Sequence, residues 1–437
     1  MRSFQMSTID GAAHRSGLRP GPVSGGLGER VGVVLTGGTL IDGTGAAARP
    51  DTGIWIDGDR IRAVADAAGL DAPPDVPRID VTGKTIMPGL IDCHDHLVHT
   101  GMDLIERAAA PLSLTMMRVA ETLRITLEAG ITTVRDAGGL DVGFKMAIEE
   151  GTIPGPRLML GLTIISRTGG IDDPRLRSGV DLGWRFLPGL PSPVADGVEE
   201  CRKRVREVLH AGADVVKCAS TGGVSSRTLS ALDATLTLVE LQAIADEAHM
   251  MGKRAFVHAY GGPGLADAVT AGIDSIEHGA HLCDLPESIA RMADQGTFLV
   301  PTFMILAMHR ERGSAWARRK ATEMADAHRR SVELAMRAGI LIAMGTDAGG
   351  YGHGHNAVEL GLLVDAGMTP MEAIVASTGT AAACLGLERD LGTIEPGKLD
   401  DLLVIDGDPL VDVRILDQPQ RITLVMKGGE DVIRREG

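Results

Sequence analysis

Between residues 85 and about 390 the chain alternates short apolar runs of strand length with longer stretches of helical spacing. Candidate strands fall at 85–93, 131–136, 157–162, 214–219, 254–259, 273–278, 297–302 and 340–347. The helical stretches between them include Leu114 to Ala129, Glu199 to Ala211, Leu238 to Met251 and Trp316 to Ala338. Each of these four ends beside a glycine (Gly130, Gly212, Gly252, Gly339) where a left-handed cap falls. Eight strands alternating with helices predict an α/β fold, a (β/α)8 TIM-like barrel, with a doubly wound open sheet as the alternative.

The flanks have another rhythm. From Val31 to about Lys84, β-rich runs alternate with turn signals: Val31 to Leu35, Gly53 to Ile56 and Arg60 to Val64, with Asp57-Gly58 set for a tight hairpin. The same character returns in Asp401 to Ile405 and Ile422 to Met426. We expect a small β-sandwich domain built from both chain ends, residues 31–84 plus 392–437, beside a barrel of residues 85–391. Residues 1–30 are rich in Gly, Ser, Pro and Arg and lack the apolar core of a secretory signal. They read as a flexible N-terminal extension, with Met6 as an alternative start.

Composition narrows the function classes. With 437 residues, 44% hydrophobic and 23% charged, the chain reads as a soluble globular protein. A net charge of -15 without any basic stretch excludes a nucleic-acid surface. No apolar run approaches the roughly 18 residues needed to cross a bilayer, so no membrane partner is expected. The five cysteines are odd in number and show no CxxC spacing. A disulfide framework is therefore not expected, and a reducing, cytoplasmic compartment is.

The chemistry sits at the strand ends. His94 and His96 are two positions apart and share one face of a strand, as two ligands of one metal must. Lys217, His258, His278 and Asp347 close four later apolar runs, and barrel active sites collect at such ends. Histidine nitrogens with a carboxylate suit a borderline-soft divalent ion and leave room for water. Lys217 is the odd member. An ammonium roughly 4 Å from a dication is repelled by about 8 kcal/mol at an effective dielectric near 20. It must be neutral, turned away or converted; carboxylation by CO2 makes it an anionic carbamate able to bridge two metals.

Several motifs carry a family resemblance: Pro88-Gly89-Leu90-Ile91-Asp92-Cys93-His94-Asp95-His96, Thr132-Thr133-Val134-Arg135-Asp136, Glu277-His278-Gly279, Gly345-Thr346-Asp347-Ala348-Gly349 and Gly392-Thr393-Ile394-Glu395-Pro396-Gly397-Lys398. Over roughly residues 31 to 430 the chain resembles the binuclear-metal branch of the amidohydrolase superfamily. Val215-Val216-Lys217 with Thr221-Gly222-Gly223, and His258-Ala259-Tyr260-Gly261, resemble its imidazolonepropionase-like dipeptidases, a group that includes Xaa-amino-acid dipeptidases and ochratoxin amidases. Asp400 departs from the pattern, where a small residue usually precedes Asp401.

The resemblance implies two divalent metal ions, zinc by default. His94, His96 and Asp347 would hold the more buried one, His258 and His278 the second, and carboxylated Lys217 would bridge them. A bridging hydroxide would attack the amide carbonyl while Asp347 moves the proton. The implied substrates are dipeptides or N-acyl amino acids, including ochratoxin-type aryl amides, and a homo-oligomer is implied by analogy. Tyr260, two positions past His258, would face the same mouth and hydrogen-bond an oxyanion or a substrate carboxylate.

Alternatives remain at this point: a cyclic amide, carbamate or phenylurea hydrolase, a mononuclear deaminase, or a metal-free scaffold. His258 is followed by Ala-Tyr-Gly-Gly and not by the glutamate that a deaminase uses, which ranks deamination low. Arg167, Arg175, Arg177, Arg185 and Arg227 are candidate partners for a substrate carboxylate, and none stands out. Tyr351, His353 and His355 either line the entrance or pack locally. Asp136 is expected to hold the strand ends together, and His99, His249, His281, His309 and His328 to pack or face solvent. Cys93 and Cys218 read as core, and Met116-Met117 as core filler.

Overall fold

The structure, a computed structural model, describes residues 32–99, 101, 104–175, 177–181, 190–349 and 352–435. The extension expected over residues 1–30, and Arg185 and Tyr351, lie outside the described residues. In chain order the first strands are β1 (Val33–Leu40), β2 (Arg49–Asp57), β3 (Arg60–Asp66), β4 (Arg78–Asp80), β5 (Thr85–Pro88), β6 (Leu90–Asp95), β7 (Ile131–Asp136) and β8 (Arg157–Leu160). There follow β9 (Ile164–Ile165), β10 (Val216–Ala219), β11 (Ala255–Ala259), β12 (Ser275–His278), β13 (Phe298–Val300), β14 (Leu402–Ile405), β15 (Ile422–Lys427) and β16 (Glu430–Arg434).

Strands from the two ends of the chain join one sheet, in the order β16-β15-β14-β5-β1-β2-β3, with β4 also paired to β1. The β2–β3 hairpin turns after Asp57, where Gly58 takes the positive φ (65°) that a tight turn requires. Leu35, Ile54, Ile56, Ile86, Leu402, Val404, Leu424 and Met426 pack into one apolar cluster, so residues far apart in sequence share one core. Asp400 is buried beside the turn between β15 and β16, where it accepts from Gly429 N at 2.6 Å, away from the strand ends that carry the histidines.

The central elements follow the apolar pattern closely. Helices span Leu112–Glu128, Val198–His210, Leu238–Met250 and Ala315–Arg337. The four glycines that follow them, Gly130, Gly212, Gly252 and Gly339, all have positive φ. In the first helix Thr115, Val119, Leu123 and Leu127 form the buried stripe. Met117 falls off that stripe and is 68% exposed, and Met116 is also exposed, so this pair is not core filler.

Two strand expectations are corrected. The run 85–93 is not one strand: Gly89 divides it, β5 pairing with β1 and β14, and β6 with β7. Only a glycine fits there, because a Cβ would lie 2.2 Å from Thr132 Oγ1 and 2.5 Å from its Cγ2. Residues 340–347 do not form a regular strand, although they bond to both neighbours. Leu299 donates to Leu341 O and accepts from Ala343 N, while Cys93 N donates to Met344 O. The ladder breaks because Met344 N turns to Ala376 O, and Thr346 N and Asp347 N both reach His94 O.

Elsewhere β6-β7-β8 form one parallel group and β9 to β13 another, with Asp214 N donating to Leu160 O between them. The result is a mixed α/β fold. Among the described residues no helix is long and apolar enough to cross a membrane, and all five cysteines are free thiols.

The Gly89 junction yields a prediction. Gly89→Ala should lose about 1–3 kcal/mol of stability through overpacking against Thr132, read as a lower midpoint in urea unfolding. Thr132→Ser in the same background removes the crowding methyl and should recover part of that loss.

Candidate metal centre

Six side chains chosen from strand-end positions meet in one place. His94 Nε2 and His96 Nε2 lie 3.6 and 3.4 Å from Asp347 Oδ1. Lys217 Nζ is 3.4 Å from His94 Nε2, and His278 Nε2 is 2.8 Å from His258 Nδ1. One donor atom each from His94, His278 and Asp347 lie within 4.8 Å of one another, which ties the two halves together. Tyr260 stacks on the His278 ring (centroids 4.6 Å apart) and meets the His258 ring edge-on.

Strand register alone does not produce this cluster. Lys217 pairs with Phe256 and His258 with Glu277, which leaves His278 beside Ala259. Simple alternation turns His278 away from the face of Glu277. Its φ of 70° breaks the alternation, and Asp347 (φ 55°) does the same on its own segment. Left-handed backbone at a non-glycine residue costs energy and concentrates at functional sites.

Each imidazole is held by its outer nitrogen. His94 Nδ1 bonds Glu277 Oε2 at 2.6 Å, and His96 Nδ1 donates to Gly138 O at 3.0 Å. His258 Nε2 donates to Gly222 O at 3.0 Å, and His278 Nδ1 bonds Thr302 Oγ1 at 2.7 Å. The nitrogens left over, Nε2 of His94, His96 and His278 and Nδ1 of His258, all point into the cluster. Metal-ligating histidines are oriented by outer partners in this way. His258 Nδ1 and His278 Nε2 lie 2.8 Å apart, close enough to share a proton or to face one cation, and inward imidazole nitrogens beside a carboxylate are a donor set that fits a divalent ion.

Burial sets the protonation states. It pushes His96 down to about 4 and His258 down to about 3, and holds His94 and His278 well below the ordinary range. The imidazoles are therefore neutral donors near pH 7. Burial likewise pushes Lys217 down to about 8, with Glu277 pulling it up and Arg135 down. At pH 7 roughly a tenth of such an amine is neutral, against well under a thousandth at the usual lysine pKa. Burial raises Asp347 to about 7 against the pull of Lys217. Its side chain, 18% exposed, is more open than the 1% of the His94 side chain.

Under the histidines lies an ion pair that sequence reasoning had given no role. Arg135 Nη2 donates to Glu277 Oε1 at 2.8 Å, and both side chains are buried. Arg135 also donates to Cys93 O and to Ser275 Oγ, and covers the face of Phe256 at 4.0 Å from the ring centroid. Lys217 sits 4.5 Å from the same centroid. Asp92 accepts from Thr346 Oγ1 (2.6 Å) and Asn356 Nδ2 (2.8 Å), and Asp95 accepts from Asn356 Nδ2 and His353 Nε2. Glu277 and Arg135 stand in the motifs already noted; the register partnership of Glu277 with His258 was the available signal.

The remaining candidates fall into place. Asp136 accepts from three backbone amides, Leu97, Gly138 and Leu140, and ties the loops after β6 and β7. His353 is buried on Asp95, and His355 pairs with Asp417. His99 stacks on His96, His328 packs on Phe303, and His249 and His281 pair with Asp274 and Asp284. Cys93 and Cys218 are fully buried. Arg175 is taken up by Asp173, and Arg227 lies over Trp316. Arg107, absent from the sequence candidates, is the arginine whose charge reaches both His96 and His99. Lys320 Nζ donates to the carbonyls of Gly223, Ser226 and Leu229, fixing the loop that offers Gly222 O to His258.

Residues 85–432 match the amidohydrolase family. The chain is 31% identical over 450 residues to the ochratoxinase of Aspergillus niger, covering 94% of this chain and 91% of that protein. Its structure is similar to that of a prolidase complexed with N-methylphosphonate-L-proline, with a TM-score of 0.85, 32% identity, and coverage of 92% of this chain and 100% of that chain. It is also similar to a Xaa-Pro dipeptidase with methionine bound in the active site, with a TM-score of 0.81, 31% identity, and coverage of 92% and 99%.

Two predictions follow from the geometry and charge. Glu277→Gln, which weakens the grip on His94, should lower zinc affinity about 10–100-fold, measured by competition with a chromophoric chelator. Protons compete for Lys217 and Asp347 at about 8 and about 7. Apparent affinity should thus begin to fall as pH drops through the first value and fall more steeply below the second. The histidines, with His96 at about 4 and His258 at about 3, add nothing in that range. An affinity that stays flat down to about pH 5 contradicts this assignment.

Proposed function

The chain belongs to the amidohydrolase family and is a hydrolase acting on C–N bonds, and on that premise we propose that it is a binuclear enzyme cleaving the amide of dipeptides or N-acyl amino acids. The observation that carries the reading is the chain of inward donor atoms in which His94 and His96 face Asp347, Lys217 faces His94, His278 lies within 4.8 Å of both His94 and Asp347, and His258 meets His278. His94, His96 and Asp347 would hold one divalent ion and His258 and His278 a second, zinc by default for this donor set. The neutral fraction of Lys217 could take up CO2, losing a proton to give a carbamate, and would then serve as an anionic ligand to both ions. A family placement supports the metals, and so does a donor group of His94, His278 and Asp347 gathered within 4.8 Å.

Bound divalent ions supply polarisation of a carbonyl and lower the pKa of water to about 7. The chain's own groups do the rest. Asp347, the more open carboxylate, takes the proton of the attacking water and returns it to the nitrogen of the leaving amine. Tyr260 is held against both histidines of the second position, and its hydroxyl would donate to the carbonyl oxygen as negative charge develops. Glu277 aims His94, and the charge of Arg135 opposes protonation of that ring.

Substrates with a free carboxylate and an apolar terminal residue, ochratoxin-type aryl amides among them, are favoured by the relatives named above. We also read the expected barrel region 85–391, less the strand β5 that joins the terminal sheet, as a (β/α)8 barrel, and residues 31–84 plus 392–437 with β5 as a small β-sandwich domain. Backbone bonds running from β6 through β8, across Leu160–Asp214 to β13, and back through 341–347 to β6 support the barrel.

Purified enzyme should contain about two zinc ions per chain and hydrolyse members of a panel of dipeptides and N-acyl amino acids. Lys217→Ala should lose one of the two metals and at least about 10²-fold in kcat/KM. One tightly held metal with full activity in Lys217→Ala would sink the binuclear reading.

A further inference from the structure

We propose that Glu359 is a positioning residue for His278, acting through Thr302. The inference rests on the metal-centre reading above, and it starts from a helix that is capped by the wrong residue. Thr302 stands at the N-cap of helix Phe303–Arg312, where a threonine hydroxyl ordinarily accepts from the amides of the first turn. It makes no such bond. Glu359, in helix Val358–Asp365, does the capping from outside: its two carboxylate oxygens accept from Phe303 N at 2.8 Å and Met304 N at 2.7 Å. These first-turn amides have no acceptor within their own helix.

The hydroxyl of Thr302 is thereby released, and it bonds His278 Nδ1 at 2.7 Å. Thr302 holds a left-handed φ of 55°, which a β-branched residue adopts only when its surroundings impose it. The bidentate grip of Glu359 on the next two amides is such an imposition. Glu359 is itself fully buried. Its position is fixed by the turn that begins at Asn356, whose amide donates to Asp92 and Asp95 at 2.8 and 3.0 Å. One short segment thus holds the strand of His94 and, through Glu359, orients His278. Without the carboxylate, Thr302 has every reason to cap its own helix and leave His278 Nδ1.

The test compares Glu359→Gln, Glu359→Asp, Thr302→Val, Thr302→Ser and the combined Glu359→Gln/Thr302→Val with the parent enzyme. Zinc affinity is measured by chelator competition, and ring-nitrogen NMR signals are recorded on metal-free protein carrying ¹⁵N-labelled histidine. The Glu359 variants and Thr302→Val should each weaken the weaker zinc about 10–100-fold and leave the tighter one nearly unchanged. Thr302→Ser should keep parental affinity, and the combined variant should be no worse than the worse single one. The His278 Nδ1 signal should move alike in Glu359→Gln and Thr302→Val. Additive losses, or a His278 signal unmoved in both Glu359 variants, overturn the relay. If the parent binds no second zinc, the binuclear reading fails, and the metal-free signals still decide the relay.

Discussion

Everything in the centre depends on the burial of its side chains away from bulk solvent. Four imidazoles, an amine and a carboxylate are gathered at distances where their charged forms cannot coexist cheaply, and burial decides which forms survive. It strips the histidines of protons, brings Lys217 within reach of neutrality and lifts Asp347 into the range of a usable base. The set is then rich in lone pairs and poor in positive charge. Glu277 lies beneath it, paired at 2.8 Å with Arg135. Removing either partner alone leaves an uncompensated buried charge, a far greater disturbance than removing both.

The same economy of partners explains how the cluster is aimed. The outer imidazole nitrogens end on three kinds of group: a carboxylate, two carbonyls and a hydroxyl. Three of those groups are themselves held by charged residues beyond them, Glu277 by Arg135, Gly222 in the loop pinned by Lys320, and Thr302 in the turn held by Glu359. The 222–230 loop and the His258 ring therefore share an anchor, and a change in that loop is felt at His258.

Much of this was legible in the chain. The period of two put His94 and His96 on one face, and the strand-end positions of Lys217, His258, His278 and Asp347 were visible as the last residues of apolar runs. The glycine caps after four helices were correct because they depend on local backbone chemistry alone. What escaped the sequence depends on contacts between distant segments. Gly89 looked like an ordinary strand residue until Thr132 packed against it. Residues 340–347 had the composition of a strand, and lost regularity to a bond from Met344 to Ala376. Arg135, Glu277 and Glu359 carry no periodic signal, since their roles arise from partners 142 residues apart in one case and 56 in another.

The sheet that joins the two ends of the chain has a consequence for the protein's birth. β5 lies between β1 and β14, and its β14 partner leaves the ribosome more than three hundred residues later. At ordinary elongation rates that is an interval of tens of seconds. Throughout it, the nascent chain carries Thr85 to Pro88 with one edge open, an apolar strand of the kind that recruits other strands. Only synthesis of β14 closes that edge, so the arrival of Leu402–Ile405 and protection from self-association are the same event.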